Sequence, residues 1–131
     1  MEGIFVVLIL FIIAFILIKK DVRKIFKDVN NELKEKAEKG DIESQSLLGA
    51  LYEVGGEEIK QDYQKAIYWY TKAAEQGDEI AQNRLGHIYE LGTGVEQDYQ
   101  KAIYWYTKAA EQGDEDSKKS LQEVYNLLNS K

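Results

Sequence analysis

The side chains able to do chemistry are few. His87 is the only histidine and there is no cysteine, so one chain cannot assemble a zinc site or a thiolate nucleophile from its own side chains, and no Ser-His-Asp or Glu-x-x-His arrangement surrounds that histidine. Gly92-Thr93-Gly94 has glycines but lacks the lysine and flanking pattern of a phosphate loop. Asp114-Glu115-Asp116 reads as a helix N-terminus, where acids complement the dipole. Trp69 and Trp105 fall at packing positions and are read as core, not as ligand stackers. The expectation is a protein that is not an enzyme and carries no cofactor and no metal.

Candidates for binding are more numerous. Asn83, His87 and Glu90 lie within about 60° of one another on a helical wheel, opposite Leu85. Their equivalents are Ser46, Ala50 and Glu53 earlier in the chain and Lys119, Glu123 and Asn126 later. The plain reading is a set of solvated faces; the functional one is a peptide-binding surface whose side chains carry no packing. Tyr68 and Tyr104, 36 residues apart, stand on the polar side of their helices. They would form a ladder on the convex surface, since tyrosine is enriched at interfaces. Duplication of two partly covered rings explains them more simply.

The elements that position these residues come from an internal duplication. Gln61 to Glu79 reads QDYQKAIYWYTKAAEQGDE, and Gln97 to Glu115 repeats it unchanged at an offset of 36. A copy at that period marks a stacked array of supersecondary units, and such arrays usually bind along an extended surface. Tyr63, Ala66, Ile67, Trp69, Tyr70, Ala73 and Ala74 share an arc of about 160°, wide enough to pack on two helices. Ala81, Leu85, Ile88 and Tyr89 form a stripe on the next helix, with Gly86 at its edge where a neighbouring helix can come close. Gly-Asp pairs at 40–41, 77–78 and 113–114 end one helix and cap the next. Gly55-Gly56 and Gly92-Thr93-Gly94 make the alternate loops.

The pattern A-x-x-x-L-G-x-x-Y-x-x-G-x-G-V in Ala81 to Val95, with K-A-x-x-W-Y-x-K-A-A-E-Q-G-D in Lys65 to Asp78, resembles the Sel-one-like repeat, a relative of the tetratricopeptide repeat. The resemblance covers Asp41 to about Leu128. It departs from the family at Ser44, at the one-residue-longer loop Gly55 to Gln61, and at Gln122, where glycine is expected. It implies an all-α, α/α superhelical solenoid of about two and a half helix pairs within residues 41–131: pairs at 41–77 and 78–113 and a capping helix at 114–129. It also implies a surface for protein contacts, with Asn83, His87 and Glu90 facing a concave groove, and neither a reaction nor a cofactor.

At the other end, Gly3 to Ile18 reads GIFVVLILFIIAFILI, followed by Lys19 and Lys20. As a helix this run spans about 24 Å, a little short of a ~30 Å hydrocarbon core, and terminal lysines can snorkel. With no basic residue before it and no small-residue cleavage site after it, residues 1–20 read as an uncleaved transmembrane anchor. A cleaved signal on an exported protein is the alternative, and a buried core helix a third reading. Lys19, Lys20, Arg23, Lys24 and Lys27 all follow the run, placing the C-terminal side in the cytoplasm and the cations at anionic lipid. Residues 28–131 hold 12 Lys or Arg against 21 Asp or Glu, a balance of −9 that argues against nucleic acid as a partner.

Residues 21–40 form a basic juxtamembrane segment with an amphipathic stripe of Val22, Ile25, Phe26, Val29 and Leu33. It reads as an interfacial helix or, better, as an unpaired B-type helix capping the array. No proline or glycine lies between Ile4 and Lys39, so anchor and cap can be one helix. The sequence thus points to a single-pass, membrane-anchored adaptor that binds a protein or peptide. Its rivals are an immunity-type binder that neutralises a toxin or effector, and a regulatory subunit of a partner enzyme.

Overall fold

Five aspartates divide the chain into helices. Asp41, Asp62, Asp78, Asp98 and Asp114 each accept a hydrogen bond from the backbone N–H three residues on, at Ser44, Lys65, Ala81, Lys101 and Ser117. Each cap of this kind is worth about 1 kcal/mol. In the computed structural model, which describes residues 2–130, they open α2 (Ile42–Val54), α3 (Tyr63–Glu75), α4 (Glu79–Leu91), α5 (Tyr99–Glu111) and α6 (Glu115–Asn129), after α1 (Glu2–Glu38). The protein is all-α, with no strand among the described residues.

Helices α2, α4 and α6 are the first (A) and α3 and α5 the second (B) helices of the repeated pairs. From α1 and from each B helix to the next A helix the chain reverses at Gly40, Gly77 and Gly113, whose φ of +98°, +97° and +106° only glycine adopts cheaply. At each of these turns two N–H groups return to the helix just ended: Gly77 to Ala74 O and Asp78 to Ala73 O, both at 3.0 Å. Between A and B helices the loop closes by Asp62 N–H on Tyr52 O and by Asp98 N–H on Tyr89 O, both 2.8 Å. The first of these loops is longer by one residue. It takes up the extra length in a tight turn, Gly56 N–H to Ile59 O at 2.7 Å.

Within each pair the A and B helices meet through a tyrosine on a glycine. Tyr70 lies flat against Gly49 and Tyr106 against Gly86, so close that a Cβ on either glycine would run into the ring. Both rings are almost wholly buried. Pairs stack through the tryptophans. Trp105 reaches back to the cluster of Ala66, Ala74, Leu85 and Ile88, and Trp69 packs on Leu48 and Ala37.

Ala37 shows what α1 contributes. The apolar run and the basic segment are one continuous helix, so the division at residue 20 is one of composition and not of backbone. The last turns of α1 do the work of a B helix. Gln45 Nε2 donates to Ala37 O at 2.9 Å as Gln82 Nε2 donates to Ala74 O at 3.0 Å, and Gly40 and Asp41 close the turn as Gly77 and Asp78 do. The capping reading therefore holds for Leu33 to Gly40. Further up the stripe, Val22, Ile25 and Val29 remain exposed, because a B helix is normally also covered by its own A helix and α1 has none.

Candidate partner-binding face

The A helices α2, α4 and α6 stand side by side, and polar side chains tie each to the start of the next. Ser46 Oγ donates to Asp78 at 2.8 Å, and Asn83 Nδ2 donates to Asp114 at 3.0 Å and to Ser117 Oγ at 2.7 Å. Asp114 is held below its usual carboxylate range chiefly by the hydrogen bond to Ser117, with Asn83 adding to it. Gln76 joins Gln45, and Gln112 joins Gln82, both at 2.7 Å.

Toward the other end of the A helices, the tyrosines that plug the glycines find acceptors. Tyr70 donates to Glu53 at 2.6 Å and Tyr106 to Glu90 at 2.5 Å. Burial first, and then the facing carboxylate, push both phenols well above their ordinary range. Tyr106 also meets His87 Nδ1 at 2.8 Å. A hydroxyl has one proton; with that proton given to Glu90, His87 must present Nδ1–H and act as donor.

These contacts correct one expectation. Asn83, His87 and Glu90 do share a face, as do Ser46 and Glu53, but they are not free of structural duty: four of the five hold neighbouring helices and His87 braces Tyr106. Their α6 counterparts Lys119, Glu123 and Asn126 are exposed, and Asn126 Oδ1 accepts from Gln122 on the same helix at 2.9 Å. Tyr68 and Tyr104 are each 53% exposed on the outer side of the B helices. Each stands edge-on to the tryptophan that follows it and has a lysine over its ring, Lys72 and Lys108.

What the wheel missed is the apolar content of the same face. An open groove of about 470 Å³ runs between α2 and α4, with Ile42, Leu47, Ala50 and Ile80 on its walls and Glu43 and Arg84 at its rim. Leu47 and Ile80 are 48% and 67% exposed and Arg84 is held only loosely, 3.8 Å from Glu53. A signal was available. These apolar residues lie off the core stripe, and their counterparts in the neighbouring A helix are polar: Glu79 for Ile42, Arg84 for Leu47, Glu43 for Ile80. No cluster of metal-binding side chains occurs among the described residues.

The Sel1 repeat matches residues 42–78 and 80–114, more than half of the chain. The chain belongs to the Sel1 repeat family. Members of this family serve in general as protein-interaction scaffolds. Among solved Sel1-type structures, the protein from Oxalobacter formigenes is 42% identical with a TM-score of 0.65, over 70% of this chain and 68% of that one. The antigen c5321, present in uropathogenic Escherichia coli strains, is 36% identical with a TM-score of 0.69, over 74% of this chain and 21% of its own. Helicobacter pylori cysteine rich protein B is 28% identical at a TM-score of 0.64, over 70% and 68%. Protein sel-1 homolog 2 of Mus musculus is 42% identical over 48 residues, which are 37% of this chain and 7% of the mouse protein. The chain thus spans only a small part of that curated relative.

Proposed function

We propose that this Sel1-repeat protein is a membrane-anchored adaptor that receives a protein or peptide partner on its A-helix face, on the cytoplasmic side. The observation that carries the binding half is the α2–α4 groove: Ile42, Leu47 and Ile80 expose apolar surface that packs on nothing, inside a concave site. Glu43, Glu53 and Asp78 outnumber Arg84 around it, and residues 28–131 are acidic as a whole. The fitting partner is therefore a segment with apolar side chains flanked by basic ones, drawn in by the acidic field. Whether such a protein recruits, neutralises or regulates depends on who the partner is.

The anchoring half rests on α1. Its best 18-residue window has a mean hydropathy of 2.7 and is 0% buried, so the fold leaves the segment uncovered, as a bilayer-embedded helix requires. The five cations from Lys19 to Lys27 fall on its C-terminal side. Crosslinking in intact membranes, followed by mass spectrometry, tests both halves. The protein should resist alkaline extraction, and Leu47→Asp with Ile80→Asp should lose the crosslinked partner while keeping its melting temperature. An unchanged partner profile in that variant would refute the groove, and release by alkali would refute the anchor.

A further inference from the structure

Because A helices run antiparallel to B helices and α1 ends as a B helix, the A helices end on the side from which α1 enters the fold, next to the end of its apolar run at Ile18. The structure bears this out at the first pair. The α2–α3 loop, Gly55 to Ile59, lies beside Lys19, Val22, Arg23 and Phe26 around a small hollow of about 290 Å³, and Arg23 Nε pairs with Glu58 at 3.4 Å. Arg23 is only about 8 Å along the helix from Ile18, where the apolar run stops. The next loop adjoins the start of α3: Gly94 lies against Tyr63, and Gln64 Nε2 donates to Gly94 O at 2.6 Å.

On this edge sits a row that the fold does not use. Val54, Leu91 and Leu127 occupy equivalent positions near the ends of α2, α4 and α6, and are 76%, 70% and 41% exposed. No other large apolar position is exposed in all three A helices. We propose that this edge of the solenoid lies on the bilayer surface, with Val54 and Leu91 inserted among the lipids. The occupant is the membrane itself, because the row begins beside the segment read above as the anchor, on which this proposal rests. Most acids of this edge have a cation close by, Glu96 being exposed without one among the described ion pairs. Glu57 and Glu58 share their hollow with Lys19 and Arg23, and Asp98 is 3.9 Å from Lys101. Held this way, the Gly-Asp turns point away from the membrane and the A-face groove opens sideways along it.

The chain has no cysteine, so single-cysteine variants report one place each. The full-length protein carrying Val54→Cys, Leu91→Cys, Glu75→Cys or Phe11→Cys is labelled with an environment-sensitive fluorophore. Each is reconstituted in vesicles of phosphatidylcholine and phosphatidylglycerol, then exposed to a lipid-borne spin quencher or to aqueous iodide. Labels at residues 54 and 91 should be quenched several-fold more by the lipid-borne spin than the label at residue 75 on the far edge, and less by iodide. If residue 11 is lipid-quenched while residues 54 and 91 behave like residue 75, the edge does not touch the bilayer and the proposal falls with the anchor intact. If residue 11 is open to iodide and untouched by lipid, the anchor fails and the proposal with it.

Discussion

Adding one methyl group at Gly86 should destabilise the protein, although the same change in an open helix would stabilise it. Alanine is better than glycine inside a helix by about 1 kcal/mol. At Gly86, however, the new Cβ would overlap the Tyr106 ring at Cδ1, Cε1 and Cγ. That ring cannot swing away cheaply, since it is fully buried and its hydroxyl is held by Glu90 at 2.5 Å and His87 at 2.8 Å. Overpacking costs about 1–3 kcal/mol, and loosening the hydroxyl's partners about 1 kcal/mol more. Set against the helix gain, Gly86→Ala should lose about 1–3 kcal/mol, with each kcal/mol lowering the melting temperature by about 4–8 °C for a domain near this size. The measurement is thermal unfolding of the full chain in detergent, followed by tryptophan fluorescence. Trp69 and Trp105 are the only tryptophans and both lie in the repeats, so the apolar half of α1 is silent. In a Tyr106→Ala background the ring is gone, and Gly86→Ala should then stabilise by about 1 kcal/mol, a reversal of sign that a double-mutant cycle reads directly. A stabilising effect of Gly86→Ala in the intact protein would refute the tyrosine-on-glycine account.

The same assay separates side chains that tie helices from those that merely share their face. Asn83→Ala removes the bridge to Asp114 and Ser117 and should cost about 1–2 kcal/mol, whereas Lys119→Ala and Asn126→Ala, both exposed, should stay within about 0.5 kcal/mol; equal effects would contradict the tie. Stability should also fall at both ends of the pH scale. Asp41 and Asp114 have depressed folded pKa values, so the stability they confer is present above the ordinary carboxylate range and is lost as pH drops through it. Tyr70 and Tyr106 have raised ones, so unfolded tyrosine ionises above about pH 10 while the folded phenols do not, and stability declines from there as pH rises. Tyr106→Phe should flatten part of the alkaline decline; an alkaline limb unchanged in Tyr70→Phe with Tyr106→Phe would assign it elsewhere.

Much of the fold was legible because the chain states it twice. Helical phase, the Gly77-Asp78 turn and the small residue at Gly86 follow from local period and local conformation, which a linear sequence carries. The caps at Asp62 and Asp98 were equally local and were passed over, because the B helices were found from their apolar arc and not from their first polar residue. The binding face was less legible for a physical reason. A helical wheel gives the direction of a side chain but not what stands in its way. Asn83 points off the core stripe as expected, yet it meets Asp114, 31 residues on; Glu90 likewise meets Tyr106. Polarity on an A helix was read as solvation, when part of it is the seam between stacked pairs. Conversely, Leu47 and Ile80 fall outside a search among polar residues, because apolar residues are assumed to be buried, although their polar counterparts in the neighbouring A helix mark them.

Most of what is particular to this protein follows from α1 serving two masters. Its last turns are locked into the first repeat by Ala37, by the Gln45 bond and by the turn at Gly40, while its first half is an uncovered apolar helix. Between the two there is neither glycine nor proline, so no residue is available as a ready hinge. A flexible tether would let a repeat domain sample every orientation and would make its groove available on all sides. A continuous helix instead fixes the rotation of the domain about the helix axis, at 100° for each residue counted from Ile18, and fixes its height at about 1.5 Å per residue. The Arg23–Glu58 pair adds a lateral brace on the loop that carries the extra residue. The groove between α2 and α4 is then presented in one direction only. With the proposed anchor in a bilayer, selectivity for partners that approach along the membrane would come from that rigidity, without any further contact in the groove.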